Sequence, residues 1–234
     1  MELNREWKAK DRKEFIKYIE SFQNKDKQEW AKRIINTNLS LLALPTNQVK
    51  DFSKEILKGN YLSFLDLEID KYYETIAIQG MIICKIKDFS LMKKYLDKYV
   101  LKIDNWAHCD SLSLKVKNKE TEYWQLINEY IKSPLPFVRR VGLRILFNFI
   151  DYDEYVEKIF SVLNRFYLEK EYYVNMIVAW LFCEMFIKRR KETLKFLKSH
   201  QLNKFSINKG ISKCRDSYRV SQADKDMLIE YRIR

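Results

Sequence analysis

Tyr73-Glu-Thr-Ile-Ala-Ile-Gln-Gly80, Phe137-Val-Arg-Arg-Val-Gly-Leu-Arg144 and Tyr173-Val-Asn-Met-Ile-Val-Ala-Trp180 can be laid over one another. Each opens on an aromatic ring, continues as an apolar helix and is followed by a second, more charged helix. Helix-pair starts are expected near residues 71, 104, 136, 171 and 205. Their spacing is a repeat of roughly 33 residues, in the range of helical solenoids. Stacked pairs bury a continuous core and leave a concave face. The expectation is therefore an all-α fold, an α-solenoid of antiparallel helix pairs, in a single domain over residues 1–234.

Outward from these segments the helical spacing continues. Phe15, Ile16, Ile19 and Phe22 form one amphipathic stripe, and Ile34, Ile35, Leu39 and Leu42 carry the pattern into the next segment. Breaks are expected where capping residues cluster: Asn24 to Asp26, Pro45 to Asn47, Gly59-Asn60, Asp88 to Ser90, Asp104-Asn105, Ser133-Pro134, Asp151 to Asp153, Ser199-His200 and Ser221. No segment alternates with the period of a strand. The most apolar stretch, Met176 to Ile187, contains Glu184 and reads as a buried core helix.

Composition narrows the function. The 234 residues include only four Gly and three Pro, too few for the tight turns of a β-sandwich or barrel. Neither a GxGxxG nor a GxxxxGK[ST] can be written from those glycines, which argues against Rossmann and P-loop nucleotide sites. Lys plus Arg is 44 against 32 for Asp plus Glu, a net charge of +12 that favours a polyanionic partner, nucleic acid before a membrane surface. Cys84, Cys109, Cys183 and Cys214 show no CxxC spacing and read as reduced, buried thiols. His108-Cys109-Asp110 does not converge on one metal, so no metal site is expected. Met1 to Lys13 is charged throughout, without the apolar core of a signal peptide, and a cytoplasmic protein is expected.

The residues able to carry chemistry are few. Asp104 or Asn105 can cap a helix that puts Trp106 and Asp110 one turn apart on one face. An indole beside a carboxylate suits a cation; equally, Trp106 can be core and Asp110 a surface acid. Arg140 and Arg144 stack at i and i+4 with Arg139 alongside, which an anionic partner would explain. Trp180, inside an apolar run, reads as core when taken alone. Lys188 to Lys191, Lys209, Lys213, Arg215 and Arg219 could track a phosphate backbone. His108 and His200 belong to no recognisable nucleophilic arrangement.

Taken in order, Tyr72-Tyr-Glu with Gln79-Gly80, Ile103-Asp-Asn-Trp-Ala-His-Cys-Asp110, Phe137-Val-Arg-Arg-Val, Tyr172-Tyr-Val with Ala179-Trp180-Leu181, and Lys213 to Ser221 resemble the bacterial DNA alkylation repair family of AlkD-type glycosylases. The resemblance covers the chain from about Trp30 to its C-terminus. It implies HEAT-like repeats with a basic concave groove for duplex DNA containing alkylated bases, and excision of cationic N3- and N7-alkylated purines (3-methyladenine, 7-methylguanine) with no metal or cofactor. By the same resemblance Asp110 matches the catalytic carboxylate. Trp106 and Trp180 match aromatic groups that contact the lesion deoxyribose, and Arg140 matches an arginine that holds the DNA backbone. Arg139, Arg144 and Lys213 join it as expected DNA contacts. A monomer, nucleoid-associated when bound to DNA, is expected.

The chain departs from the family pattern in places. Where glycosylase members often carry Gly-Val/Ile-Arg/Gln-Thr-Pro, it has Ala43-Leu-Pro-Thr-Asn47, and Asn148 and Cys183 stand where basic residues appear in some active members. A non-catalytic HEAT-like protein binding duplex or branched DNA is the alternative, and a protein-binding scaffold is a third reading.

Overall fold

The computed structural model describes residues 1–234 and is entirely helical outside its turns and loops. The helices are α1 (Asp11–Glu20), α2 (Lys25–Ile35), α3 (Thr46–Leu57), α4 (Tyr61–Asp66), α5 (Tyr73–Ile83), α6 (Phe89–Val100), α7 (Trp106–Asp110), α8 (Glu120–Tyr130), α9 (Pro136–Leu146), α10 (Asp153–Asn164), α11 (Tyr172–Lys188), α12 (Arg190–Leu197), α13 (Lys204–Asp216) and α14 (Gln222–Ile229). The starts of α5, α7, α9, α11 and α13 fall within two residues of those read from the repeat. Five breaks are closed by the side chain that the sequence offers. Asn24, Asn60, Asp88, Asn105 and Ser221 accept from the N–H groups of Lys27, Ser63, Leu91, His108 and Asp224.

The chain forms two compact units, Met1–Lys115 and Val116–Arg234. In the first, α3 packs on α5, and α5 packs on α6 and α7. Trp7, Phe15 and Phe64 meet edge to face, with centroids 5.0 to 5.5 Å apart, and seal the N-terminal segment onto α1 and α4. In the second unit α11 packs on α9, α12 and α13, while α8 packs on α9 and α14 on α13. That explains why α11 is apolar around its whole circumference: Val174, Ile177, Val178, Leu181, Phe182 and Met185 are all fully buried. The approach of α13 to α11 depends on Gly210, where an added Cβ would lie 2.6 Å from Cδ1 of Phe182. No helix is long and apolar enough to cross a membrane.

Two local readings change. The stripe from Ile34 to Leu42 is not one helix. α2 ends when Asn36 turns left-handed at φ 55°, so Leu39 lies in a loop and Ile34 is half exposed. The break at Ser199-His200 is real, but Asn203 supplies the cap, its side chain accepting from the Ser206 N–H.

Candidate functional site

In the first unit the site is built on α7, barely more than one turn long. Trp106 is its first residue and Asp110 its last, and both are partly exposed. The sequence expected these two on one helical turn, and the structure places them there. The Trp106 indole N–H donates to the Ile34 carbonyl at 3.3 Å, satisfying one of the last-turn carbonyls of α2. Asn105 caps α7, and its neighbour Asp104 turns away to accept from the Thr37 hydroxyl and the Asn38 N–H at 2.5 and 2.7 Å. Burial would push the Asp104 carboxyl up. Hydrogen bonds from Thr37, Asn105 and Asn38 outweigh it and hold the group below its ordinary value.

Glu74 and His108 carry more of this region than their sequence positions suggest. Glu74 is 2% exposed, and its carboxylate accepts from the Leu42 N–H at 2.9 and 3.1 Å and from the Leu44 N–H at 3.2 Å. Burial pushes its carboxyl up against the pull of those bonds. The turn it grips contains Ala43 at φ 59°, the left-handed region that favours glycine. An L residue thus occupies a backbone conformation to which glycine is better suited. A carboxylate inside an otherwise apolar helix start is the one sequence signal that could have marked Glu74. His108 is fully buried, stacked on the Tyr73 ring with centroids 4.2 Å apart, and burial lowers it to about 4. Beside these residues Trp30, Ile34, Ala43, Leu44, Tyr73 and Glu74 line a concavity of about 300 Å³. Trp30 is 59% exposed.

In the second unit, Arg140 is 5% exposed and donates to the Tyr173 carbonyl, joining α9 to α11. Arg139 makes a two-pronged pair with Glu169 at 2.9 and 3.1 Å and donates to the Ser133 and Pro134 carbonyls. Arg144 lies over the Phe147 and Trp180 rings, and those two rings are 4.5 Å apart. Trp180 itself is half-buried, not core. Lys213 is partly exposed in the last turn of α13.

Four members of the basic C-terminal series form ion pairs. Lys188 meets Asp151, Arg189 meets Asp153 and Arg190 meets Asp224, each at 2.6 Å, and Arg219 meets Glu184 at 2.5 Å. All four cysteines are unbridged and buried. The neighbouring Cys183 thiol and burial push the Cys214 thiol up. A residue so placed packs α11 against α13. No group of three His, Cys, Asp or Glu residues could hold a metal ion.

The chain is thus an all-helical protein of packed neighbouring helices, one short turn of which carries an indole and a carboxylate. A family model described as DNA alkylation repair enzyme matches residues 15–214, and the chain belongs to that family. No curated protein matches the chain.

Proposed function

We propose that this protein is a DNA glycosylase that hydrolyses the N-glycosidic bond of cationic alkylated purines, 3-methyladenine and 7-methylguanine, in duplex DNA. The observation that carries the reading is α7, whose first and last residues are an indole and a carboxylate on one partly exposed turn, in a chain of this repair family. An alkylated purine is already positively charged and leaves readily. The barrier lies in the positive charge that develops on the deoxyribose as the bond breaks. The Asp110 carboxylate stabilises that charge and orients the attacking water, and the Trp106 indole face adds a cation–π contribution.

In the second unit Trp180 offers a partly exposed aromatic face to the DNA. Arg144 and Lys213 supply positive charge for the backbone phosphates. Arg140, 5% exposed and bonded to the Tyr173 carbonyl, supports DNA binding by holding α9 against α11, and Arg139 acts mainly by holding its loop. No metal or cofactor enters the reaction.

Release of methylated purines from DNA treated with a methylating agent tests the reading. The wild type is expected to release base, and Asp110→Asn to lose at least about a hundredfold in rate with DNA affinity and thermal stability unchanged. Salt-sensitive binding without any release would make this a non-catalytic DNA-binding protein instead.

A further inference from the structure

We propose that His108, held between the Asn105 side chain and the Tyr73 carbonyl, is a positioning residue that sets the orientation of Trp106 and Asp110. The inference rests on the roles assigned to those two residues above.

A helix of five residues has too few internal hydrogen bonds to fix its own direction. Its placement must come from outside, and a continuous polar chain provides it. The Thr37 hydroxyl donates to Asp104 Oδ1 at 2.5 Å, and Asn105 Nδ2 donates to the same oxygen at 3.1 Å. Asn105 Nδ2 also lies 2.9 Å from His108 Nδ1, and His108 Nε2 lies 3.0 Å from the Tyr73 carbonyl oxygen.

The proton positions follow from chemistry. A carbonyl only accepts, so Nε2 carries the proton. The Asn105 amide is oriented by its Oδ1, which accepts from the His108 N–H at 3.0 Å, so Nδ2 must face the ring and Nδ1 must accept. One tautomer satisfies every partner. Asn105 and His108 are both 0% exposed, so these bonds face no competition from water.

Helical geometry then explains why the anchor is residue 108. Successive residues turn about 100°, so Trp106 and Asp110 lie about 40° apart while His108 lies about 160° from each. The chain is thus gripped at α5 through His108, on the far side of the turn from Asp110, and at the loop after α2 through Asp104, while the Trp106 indole reaches the last turn of α2. A residue needed only to fill space there would be apolar, because burying this many polar groups gains little stability over a hydrophobic packing. What the network adds is a single orientation.

Two variants test this. His108→Phe keeps a ring against Tyr73 and removes both ring-nitrogen bonds. Thr37→Val removes the far end of the chain with almost no change in volume. For His108→Phe, kcat for release of methylated purine is expected to fall about tenfold or more with KM unchanged, and for Thr37→Val to fall less, in the same direction. In protein labelled with 5-fluorotryptophan, both variants are expected to move the fluorine resonance of Trp106, assigned from Trp106→Phe.

A Trp106 resonance unmoved in Thr37→Val and in folded His108→Phe overturns the proposal, as does a wild-type kcat in His108→Phe. If the wild type releases no base but both variants still shift Trp106, the positioning role stands and the glycosylase reading falls.

Discussion

The guanidinium carbon of Arg144 lies 5.9 Å from the centroid of the Trp180 indole and 5.3 Å from that of Phe147. A cation over partly exposed rings is held by the ring quadrupole as well as by packing. A double-mutant cycle of Arg144→Ala and Trp180→Ala is expected to give a coupling energy of about 0.5–1 kcal/mol in thermal or denaturant unfolding. Additive single effects would mean that the two side chains only share a neighbourhood. The same contact presents positive charge beside an indole on a single surface of the second unit.

Arg139 offers a contrast on the same helix. Its pair with Glu169 is largely buried, with side chains 14% and 9% exposed, and its remaining N–H groups hold the Ser133 and Pro134 carbonyls. Arg139→Ala is expected to lower stability by about 1–3 kcal/mol, because it leaves a partly buried carboxylate without its cation, although the Lys170 and Glu171 N–H groups still bond it. Arg139→Lys should recover only part of that loss, since an ammonium cannot bond both carboxylate oxygens side by side. Denaturant midpoints at neutral pH distinguish this from a purely DNA-facing arginine, whose loss would leave the midpoint in place.

His108 gives the protein a defined acid response. Its pKa is lowered from 6.5 to about 4 in the folded state, chiefly by burial. The unfolded chain therefore binds the proton first, and stability rises with pH through this window. The contribution is complete above pH 6.5 and is lost as pH falls through about 4, a total of about 3 kcal/mol. Urea unfolding from pH 4 to 7 should show that slope in the wild type. His108→Phe should lack this part of it, whatever its stability at pH 7.

Ala43 sits at φ 59° in the turn gripped by Glu74. An L side chain is disfavoured there by about 1–2 kcal/mol, and glycine loses more entropy on folding by about half that. Ala43→Gly is expected to raise stability by up to about 1 kcal/mol, whereas the same exchange at Ala31 in α2 should cost about 1 kcal/mol. Equal losses at the two positions would show that the turn relaxes around alanine at no cost.

The parts legible in the sequence are those set by near neighbours. Helix starts at Tyr73, Trp106, Pro136, Tyr172 and Lys204 follow from apolar runs between breaks, and Asn24, Asn60, Asp88, Asn105 and Ser221 cap as their positions suggest. Trp106 and Asp110 share a turn because spacing alone dictates it. What stayed hidden depends on partners far along the chain. Glu74 meets a turn some thirty residues earlier, His108 meets Tyr73, Arg139 meets Glu169, and Lys188 and Arg190 meet Asp151 and Asp224. A run of positive charge says how much cation there is; only the fold says which acids already neutralise it. The Ile34 to Leu42 stripe misled for a related reason, since Leu42 is buried from a loop and not from a helix face.

One helix stands apart. α2 buries none of its eleven residues and leaves Trp30 and Ile34 half open to water, although they form a clear apolar edge. Its ties are few: the Asn24 cap, Gln28 to the Leu41 carbonyl, and the Trp106 indole on the Ile34 carbonyl. Little free energy is therefore lost when it unwinds locally, and its amide hydrogens should exchange with deuterium sooner than those of α5 or α11. Each such opening breaks the indole's hydrogen bond, so the breathing of a peripheral helix is felt directly at Trp106.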